Sequence, residues 1–324
     1  MSIILVTGAA GFIGFHVTQA LLARGDTVVC VDNLNAYYDV SLKEARLRIL
    51  GRHPNFIFRN CDISNREGFF AIASEFPGVE GIVHLAGQVG VRHSLKDPYA
   101  YVQSNVLGYV VMAEVARSFR ALRHIVYASS SSVYGSNTKL PFSVADPIET
   151  PNSLYAATKR TNELLGHTYA HLYDLPSTGL RFFSVYGPWG RPDMAAFLFT
   201  RAILTGEPIR VFNRGEMWRD FTYIDDVVTG VIRALDLPPT ARPPHVIYNI
   251  GNNKAEKLLD FIAVLEDATG CKAAIVLDEM QAGDIGRTHA DIEPTIRDLG
   301  FEPATSIHEG IPKFVDWFRG YYKM

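Results

Sequence analysis

A chain of 324 residues, 48% of them hydrophobic, can bury a large core, and its length passes the range in which one core usually keeps growing, so one large or two intimately joined domains are expected. A formal charge of -3 lacks the basic surplus of a nucleic-acid binder, and three cysteines, Cys30, Cys61 and Cys271, have neither metal-ligand spacing nor the even number of a disulfide framework. Residues 2–22 are apolar-rich, but no basic residue precedes them and Gly8, Gly11 and Gly14 interrupt them; this fits neither a signal peptide nor a membrane span and leaves a cytoplasmic chain as the expectation.

In chain order, "SIILVTG" reads as a strand that runs into "GAAGFIG". The spacing is G-x-x-G-x-x-G rather than the simplest dinucleotide fingerprint, and a glycine triplet alone can mark no more than a tight turn. Context adds weight. The triplet follows a strand, opens the amphipathic run "FHVTQALLARG", and is followed 18 residues after Gly14 by Asp32, at the end of a second strand "TVVCVDN". Missing side chains let a pyrophosphate approach backbone N–H groups at a helix N-terminus, whose partial positive charge favours it. Asp32 suits a ribose hydroxyl and repels a 2′-phosphate, so NAD is expected rather than NADP.

Three more β-rich runs, "NFIFRNCDI", "GIVHLAG" and "HIVYASS", alternate with segments long enough for crossover helices. Near-continuous apolar strands imply helices on both faces. The expected fold is α/β: a Rossmann-type doubly wound parallel sheet with a smaller C-terminal α/β substrate domain. Lys43 and Arg46 of "SLKEARLRIL" read equally well as cofactor-side cations or as solvated helix charges. His84 reads as a strand-core residue, and the ten histidines form no cluster, so no metal site is expected.

Ser129, Ser130, Ser131 and Ser132 follow "HIVYA" at the carboxyl edge of the sheet, where ligands of such sheets bind; they can also simply satisfy strand-end backbone groups. Next, "SLYAATKR" holds no helix breaker and sets Tyr155 four residues before Lys159, so the two are neighbours on one helix face. Such a pair is more often a tyrosine packed on a lysine stem. To take a proton near neutral pH, a tyrosine must lose roughly three units from about 10, which is about 4 kcal/mol. A positive charge about 4 Å away supplies about 1 kcal/mol in water and about 4 at an effective dielectric near 20. Lys159 therefore suffices only in a site screened from water. Beyond the run "TGLRFF", "GPWGRPDM" places Arg191 in a loop held by proline and glycine, where a guanidinium can fork onto a carboxylate.

Together with Asp32 and the glycines, "CDI" at 61–63, "HLAG" at 84–87, "SSSSVYG" at 129–135, "YAATK" at 155–159, "GLRFFSVYGP" at 179–188 and "RDFTYIDD" at 219–226 resemble the extended short-chain dehydrogenase/reductase family over essentially the whole chain. Within it, "DNLNAYYDVSLKEARL", "QVGVRHS", "GPWGRPDM" and "MQAGD" look like UDP-glucuronate 4-epimerases. The resemblance implies NAD held by Gly8, Gly11, Phe12, Ile13, Gly14, Asp32, Asn33, Asn35, Lys43, Asp62, Ile63, Leu85, Ala86 and Gly87, with Tyr155 and Lys159 at the nicotinamide end. Tyr155 is then the base, aided by Lys159 and the positive nicotinamide ring. Ser130 is the hydroxyl that relays or orients the sugar O4 proton, with Ser131 and Ser132 open alternatives. Substrate contacts are implied for Arg92, Ser184, Arg191 (the C6 carboxylate), Arg219 (the diphosphate) and Asp284 (a ribose).

The implied reaction is reversible C4 epimerisation of UDP-glucuronate to UDP-galacturonate through a 4-keto sugar, with transient hydride transfer to tightly bound NAD. Alternatives are a UDP-glucuronate decarboxylase (a UDP-xylose synthase), another UDP-sugar 4-epimerase, and a catalytically silent NAD-binding regulatory module. The acidic pair of related dehydratases is missing beside the serines, which argues against water elimination. A homodimer is implied through helices around 98–118 and 153–172, whose apolar surface includes Tyr101, Val110, Val111, Met112 and Leu164; extra core burial within the subunit is the alternative. The expected domains are 1–180 for NAD, rejoined by about 220–250, and 181–324 for the UDP-sugar. Departures from the family pattern are Gly87 for alanine, Ser184 for threonine, and an added Arg287.

Overall fold

The computed structural model describes residues 2–280 and 285–324. Its first five strands, β1 (Ile3–Thr7), β2 (Thr27–Asp32), β3 (Phe56–Asn60), β4 (Val79–His84) and β5 (His124–Ser130), coincide with the five apolar runs. They are followed by β6 (Ser177–Phe182), β7 (Ser184–Tyr186), β8 (Ile209–Val211), β9 (Trp218–Tyr223), β10 (His245–Ile250), β11 (Ala255–Lys257) and β12 (Ile275–Leu277). Seven of them form one parallel sheet in the order β10-β6-β5-β4-β1-β2-β3. Every residue of β6 is buried, as are all but the first of β1 and β2, because helices cover both faces. Alternation along β1 shows the two faces directly: Ile4 and Val6 join one core with Phe12, Phe15 and Val231, while Leu5 joins another with Val29, Met112 and Ile125.

Strand order reverses between β1 and β4, so their crossovers leave in opposite directions and open a crevice at the carboxyl ends. The smaller layer consists of a three-stranded sheet β11-β9-β7 and a two-stranded sheet β12-β8. Helices Ala195–Thr205, Leu258–Thr269 and Ile307–Tyr322 back it. From this region the chain crosses back: helix Ile224–Asp236 packs on helix Phe12–Ala23, and β10 adds to the edge of β6.

Helix Leu154–Tyr173 carries the tyrosine–lysine pair. Ser153 caps it by accepting a hydrogen bond from Ala156 N at 3.1 Å, and Asp174 ends it in a left-handed conformation. Its inward face, Ala156, Lys159, Glu163, Gly166 and Ala170, repeats every three to four residues and looks onto β5 and β6.

One expectation needs correction here. The stretch around 98–118 is helix Pro98–Tyr101, a π-helical turn Val102–Leu107 and helix Gly108–Ala116. Tyr101, Val111 and Met112 are buried in the subunit's own core, where the Tyr101 hydroxyl donates to Val89 O at 2.6 Å, so they are not outward apolar surface. The large apolar side chains that do face outward on this stretch and on helix Leu154–Tyr173 are Tyr99, Val102, Leu107, Leu164, Leu172 and Tyr173.

Candidate active site

Close packing dictates the glycine loop. Gly8 has φ +74°, and a β-carbon there would lie 2.6 Å from Ala86 N, while one on Gly14 would lie 2.1 Å from Gly8 O. The end of β1 thus passes against the end of β4, and helix Phe12–Ala23 starts directly upon it, which only glycine permits. What results is a cradle bare of side chains at a helix N-terminus, and it fits the pyrophosphate of a dinucleotide. Asp32 ends β2 beside it, its Oδ2 accepting from Ala10 N at 3.1 Å and its Oδ1 from Leu34 N at 2.9 Å.

Lys43 stands 3.9 Å from Asp32 and donates to Asn35 O at 2.9 Å. Neither Lys43 nor Arg46 is a solvated helix charge: they are 7% and 0% exposed. Asn33 donates to Asp62 at 2.7 Å, joining the ends of β2 and β3. Gly8, Gly11, Phe12, Ile13, Gly14, Asp32, Asn33, Asn35, Lys43, Asp62, Ile63, Leu85, Ala86 and Gly87 all line one cavity. It continues past Ser130, Ser131, Ser132, Tyr155, Lys159 and Ser184 to Arg191. Arg92 and Arg219 are not among its walls. Arg92 lies over the Phe212 ring at 4.6 Å, and Arg219 donates to Trp218 O at 2.9 Å and Gly286 O at 3.2 Å. Arg287 lies over the Trp218 ring at 5.1 Å. Asp284 falls outside the described residues.

The serines divide by direction. Ser129 turns away from the cavity's chemistry and donates to Glu163 at 2.7 Å, within a buried pair that Glu163 makes with Arg181 at 2.8 and 3.0 Å. Ser130 donates to Ser132 Oγ at 3.2 Å, accepts from Ser132 N at 3.2 Å, and shares the cavity wall with Tyr155. Lys159 is 3% exposed, donates to Ala128 O at 3.0 Å, and holds its Nζ 6.0 Å from the centre of the Tyr155 ring.

Burial drives the Tyr155 phenol above its ordinary value; Arg191 and the Ser130 hydroxyl oppose this, and Asp193 adds to it. Burial also lowers Lys159 to about 8. Lys159 is expected to act together with the positive nicotinamide ring, and by itself it does not bring the phenol down, for a physical reason. The low dielectric that strengthens a charge pair also discharges the ammonium, and Lys159 gives up its proton before the phenol loses one.

Arg191 is not a free guanidinium. Its Nε and Nη2 fork onto Asp193 at 3.0 and 2.7 Å, and Tyr37 donates to the same carboxylate at 3.1 Å. This use leaves Nη1 outside the pair. Spacing reasoning missed Asp193 and Tyr37, although both stand in the quoted motifs. It also missed Asn105, in the π-helical turn, which accepts from Gln88 N at 2.7 Å and donates to Gln88 O and Thr158 Oγ1, each at 3.0 Å. A β-carbon at Gly87 would come within 2.8 Å of Asn105 Oδ1, so glycine there makes room for this tie between the loop after β4 and the helix bearing Tyr155. Among the described residues no three His, Cys, Asp or Glu side chains come together to hold a metal ion, and no helix is long and apolar enough to cross a membrane.

Residues 4–251 match the family described as NAD dependent epimerase/dehydratase. The chain is 46% identical over 334 residues to UDP-glucuronate 4-epimerase 4 of Arabidopsis thaliana, covering 98% of this chain and 76% of that protein. It is also 46% identical over 335 residues to Protein CapI of Staphylococcus aureus, covering 99% of each. Among solved structures, the UDP-glucuronic acid 4-epimerase from Bacillus cereus, in complex with UDP-glucuronic acid and NAD, superposes with a TM-score of 0.92 at 33% identity, over 99% of this chain and 100% of that one.

Proposed function

The chain belongs to the NAD dependent epimerase/dehydratase family, and from that premise we propose that it interconverts UDP-glucuronate and UDP-galacturonate by oxidising and re-reducing the sugar at C4. One observation carries this reading: a single cavity presents the glycine cradle and Asp32 at one end and Tyr155, Ser130 and Arg191 at the other. NAD is the cofactor and supplies a reversible hydride acceptor, so the reaction has no net redox change. Gly8, Gly11 and Gly14 leave room for the pyrophosphate, Asp32 takes a ribose hydroxyl, and Lys43, Asn35 and Asp62 close the adenosine end.

Tyr155 removes the proton of the 4-hydroxyl and later restores it, with Ser130 orienting that oxygen and Lys159 supplying positive charge behind the phenol. Ser131, Ser132 and Ser184 shape the sugar side. Arg191 receives the C6 carboxylate either through Nη1 or by exchanging it for Asp193, two carboxylates being near-equivalent partners for one guanidinium. Arg219 suits the diphosphate and Asp284 a ribose on chemical grounds, and Arg92 faces the substrate.

Decarboxylation of the 4-keto acid is not favoured, because the relatives are named as epimerases. The intact Tyr155, Lys159 and Ser130 disfavour a silent module. We further read residues 1–180, rejoined by about 220–250, as the cofactor half and 181–324 as the sugar half. The protein acts in the cytoplasm as a homodimer, closed over the outward Val102, Leu107 and Leu164. The test is to incubate the NAD-loaded protein with UDP-glucuronate and resolve the products. UDP-galacturonate of unchanged mass supports the proposal; a UDP-pentose lighter by carbon dioxide, or no turnover, overturns it.

A further inference from the structure

Arg46 is a wholly buried cation that the reaction does not use. It sits on helix Val40–Leu50 one turn beyond Lys43, and its bonds run to distant parts of the chain. Nη1 donates to Ala10 O at 2.7 Å, within the glycine loop, and to the Tyr38 hydroxyl at 2.8 Å. Nη2 donates to Trp189 O at 2.6 Å, 143 residues along the chain and two residues before Arg191. A second tie runs alongside it, His16 Nε2 to Pro188 O at 2.9 Å, from the helix that opens at the glycine loop.

Trp189 itself has φ +62°, a backbone state that a non-glycine residue keeps only when its surroundings hold it. Its indole is packed among Phe15, Trp317 and Tyr321. Tyr37, from the same segment as Tyr38 and Arg46, holds Asp193 on the far side of Arg191. The stretch from Asn35 to Arg46 therefore touches the cofactor wall with Asn35 and Lys43 and the Arg191 loop with Tyr37 and Arg46.

We propose that Arg46 is a positioning residue for recognition of the acidic sugar: one planar fork grips the dinucleotide loop and the Trp189 carbonyl together, and so fixes Arg191 in register with the bound cofactor. The inference rests on the reading of Arg191 as the carboxylate's partner. A guanidinium is suited to this because its donors are held in a fixed plane, so moving either carbonyl breaks a charge-assisted hydrogen bond. It follows by linkage that NAD loading strengthens binding of UDP-glucuronate more than that of UDP-glucose, and that the acidic sugar in turn helps to retain NAD.

The experiment measures dissociation constants for UDP-glucuronate and UDP-glucose by calorimetry on NAD-loaded protein, together with NAD retained after dilution, for the parent and for Arg46→Met, Arg46→Lys and Arg191→Ala. Loss of one charge-assisted contact is worth about tenfold or more in binding, so the preference for the acidic sugar should fall about tenfold in Arg46→Met, with less NAD retained. Arg46→Lys, whose single ammonium cannot hold both carbonyls, should lose about threefold of the preference while UDP-glucose binding stays within about twofold. A residue serving stability alone would weaken both sugars equally. An unchanged preference in Arg46→Lys overturns the inference, and that variant decides if Arg46→Met does not fold. Equal weakening of both sugars in Arg191→Ala overturns the carboxylate reading itself; lost preference there, with preference kept in the Arg46 variants, overturns only the role of Arg46.

Discussion

Replacing Lys159 by methionine keeps an unbranched side chain in a site only 3% exposed and removes one charge 6.0 Å from the centre of the Tyr155 ring. At an effective dielectric of about 20, a unit charge at that separation is worth about 3 kcal/mol. That equals about two pKa units on the phenol, or about 100-fold in the fraction of phenolate at a given pH. Burial lowers Lys159 to about 8, so its charge is present below that pH and is lost as the pH rises through it. Beyond that point the ammonium–phenolate pair and the neutral lysine–phenol pair carry the same number of protons, and the reactive population of the parent stops rising. The variant has no such limit, and its phenolate keeps increasing about tenfold per pH unit. The ratio of parent to variant kcat/KM for UDP-glucuronate, normalised to bound NAD, should therefore stay near 100 up to about pH 8 and fall about tenfold per unit above it. A ratio that is flat from about pH 6 to 10, or already near one at neutrality, refutes the electrostatic role given to Lys159.

Gly14→Ala puts a β-carbon where Gly8 O lies 2.1 Å away, so the glycine loop must shift; purified protein should carry little NAD, and stoichiometric NAD released on denaturation would show that the cradle was misread. Glu163→Gln strips the charge from a carboxylate that is 1% exposed and forked with Arg181, itself 2% exposed, leaving a buried guanidinium without its counter-ion. Urea unfolding should show a loss of about 3 kcal/mol or more, and a loss under about 1 kcal/mol would mean that the pair is not the buried unit described. Leu164→Glu places a charge on the outward apolar face of the helix bearing Tyr155, where Leu164 is 53% exposed. The mass from light scattering should fall from dimer to monomer with circular dichroism unchanged, whereas a dimer at the parent's concentration dependence would refute that interface.

The legible part of the molecule was what depends on local period and spacing. Five strands followed from apolar runs such as those of β1 and β5, because a buried parallel strand must be apolar on both faces. The glycine triplet and Asp32 pointed to one end of the cavity, and the four-residue step from Tyr155 to Lys159 to a helix that lines the other, since both depend on residues close in sequence. What could not be read was set by contacts across the chain. Arg46 reads equally well as a cofactor-side or a solvated cation, and its burial rests on partners that include Ala10, 36 residues away, and Trp189, 143 residues away. The fork of Arg191 onto Asp193 was hidden for a different reason: the two residues stand two apart in the motif, but a loop has no periodicity from which side-chain direction follows. Around 98–118 the sequence left an outward face and extra core burial both open; Tyr101, Val111 and Met112 go to the core, and the π-helical turn Val102–Leu107 breaks the regular period from which a face could be counted.

The central claim is that a hydride leaves C4 of the sugar and returns to the same carbon on its other face, with Tyr155 handling the proton. Supplying UDP-glucuronate bearing deuterium at C4 to the NAD-loaded protein in ordinary water tests it most directly. The account predicts UDP-galacturonate that still carries deuterium at C4; label lost to water, or inversion that proceeds undiminished in Tyr155→Phe, would contradict it.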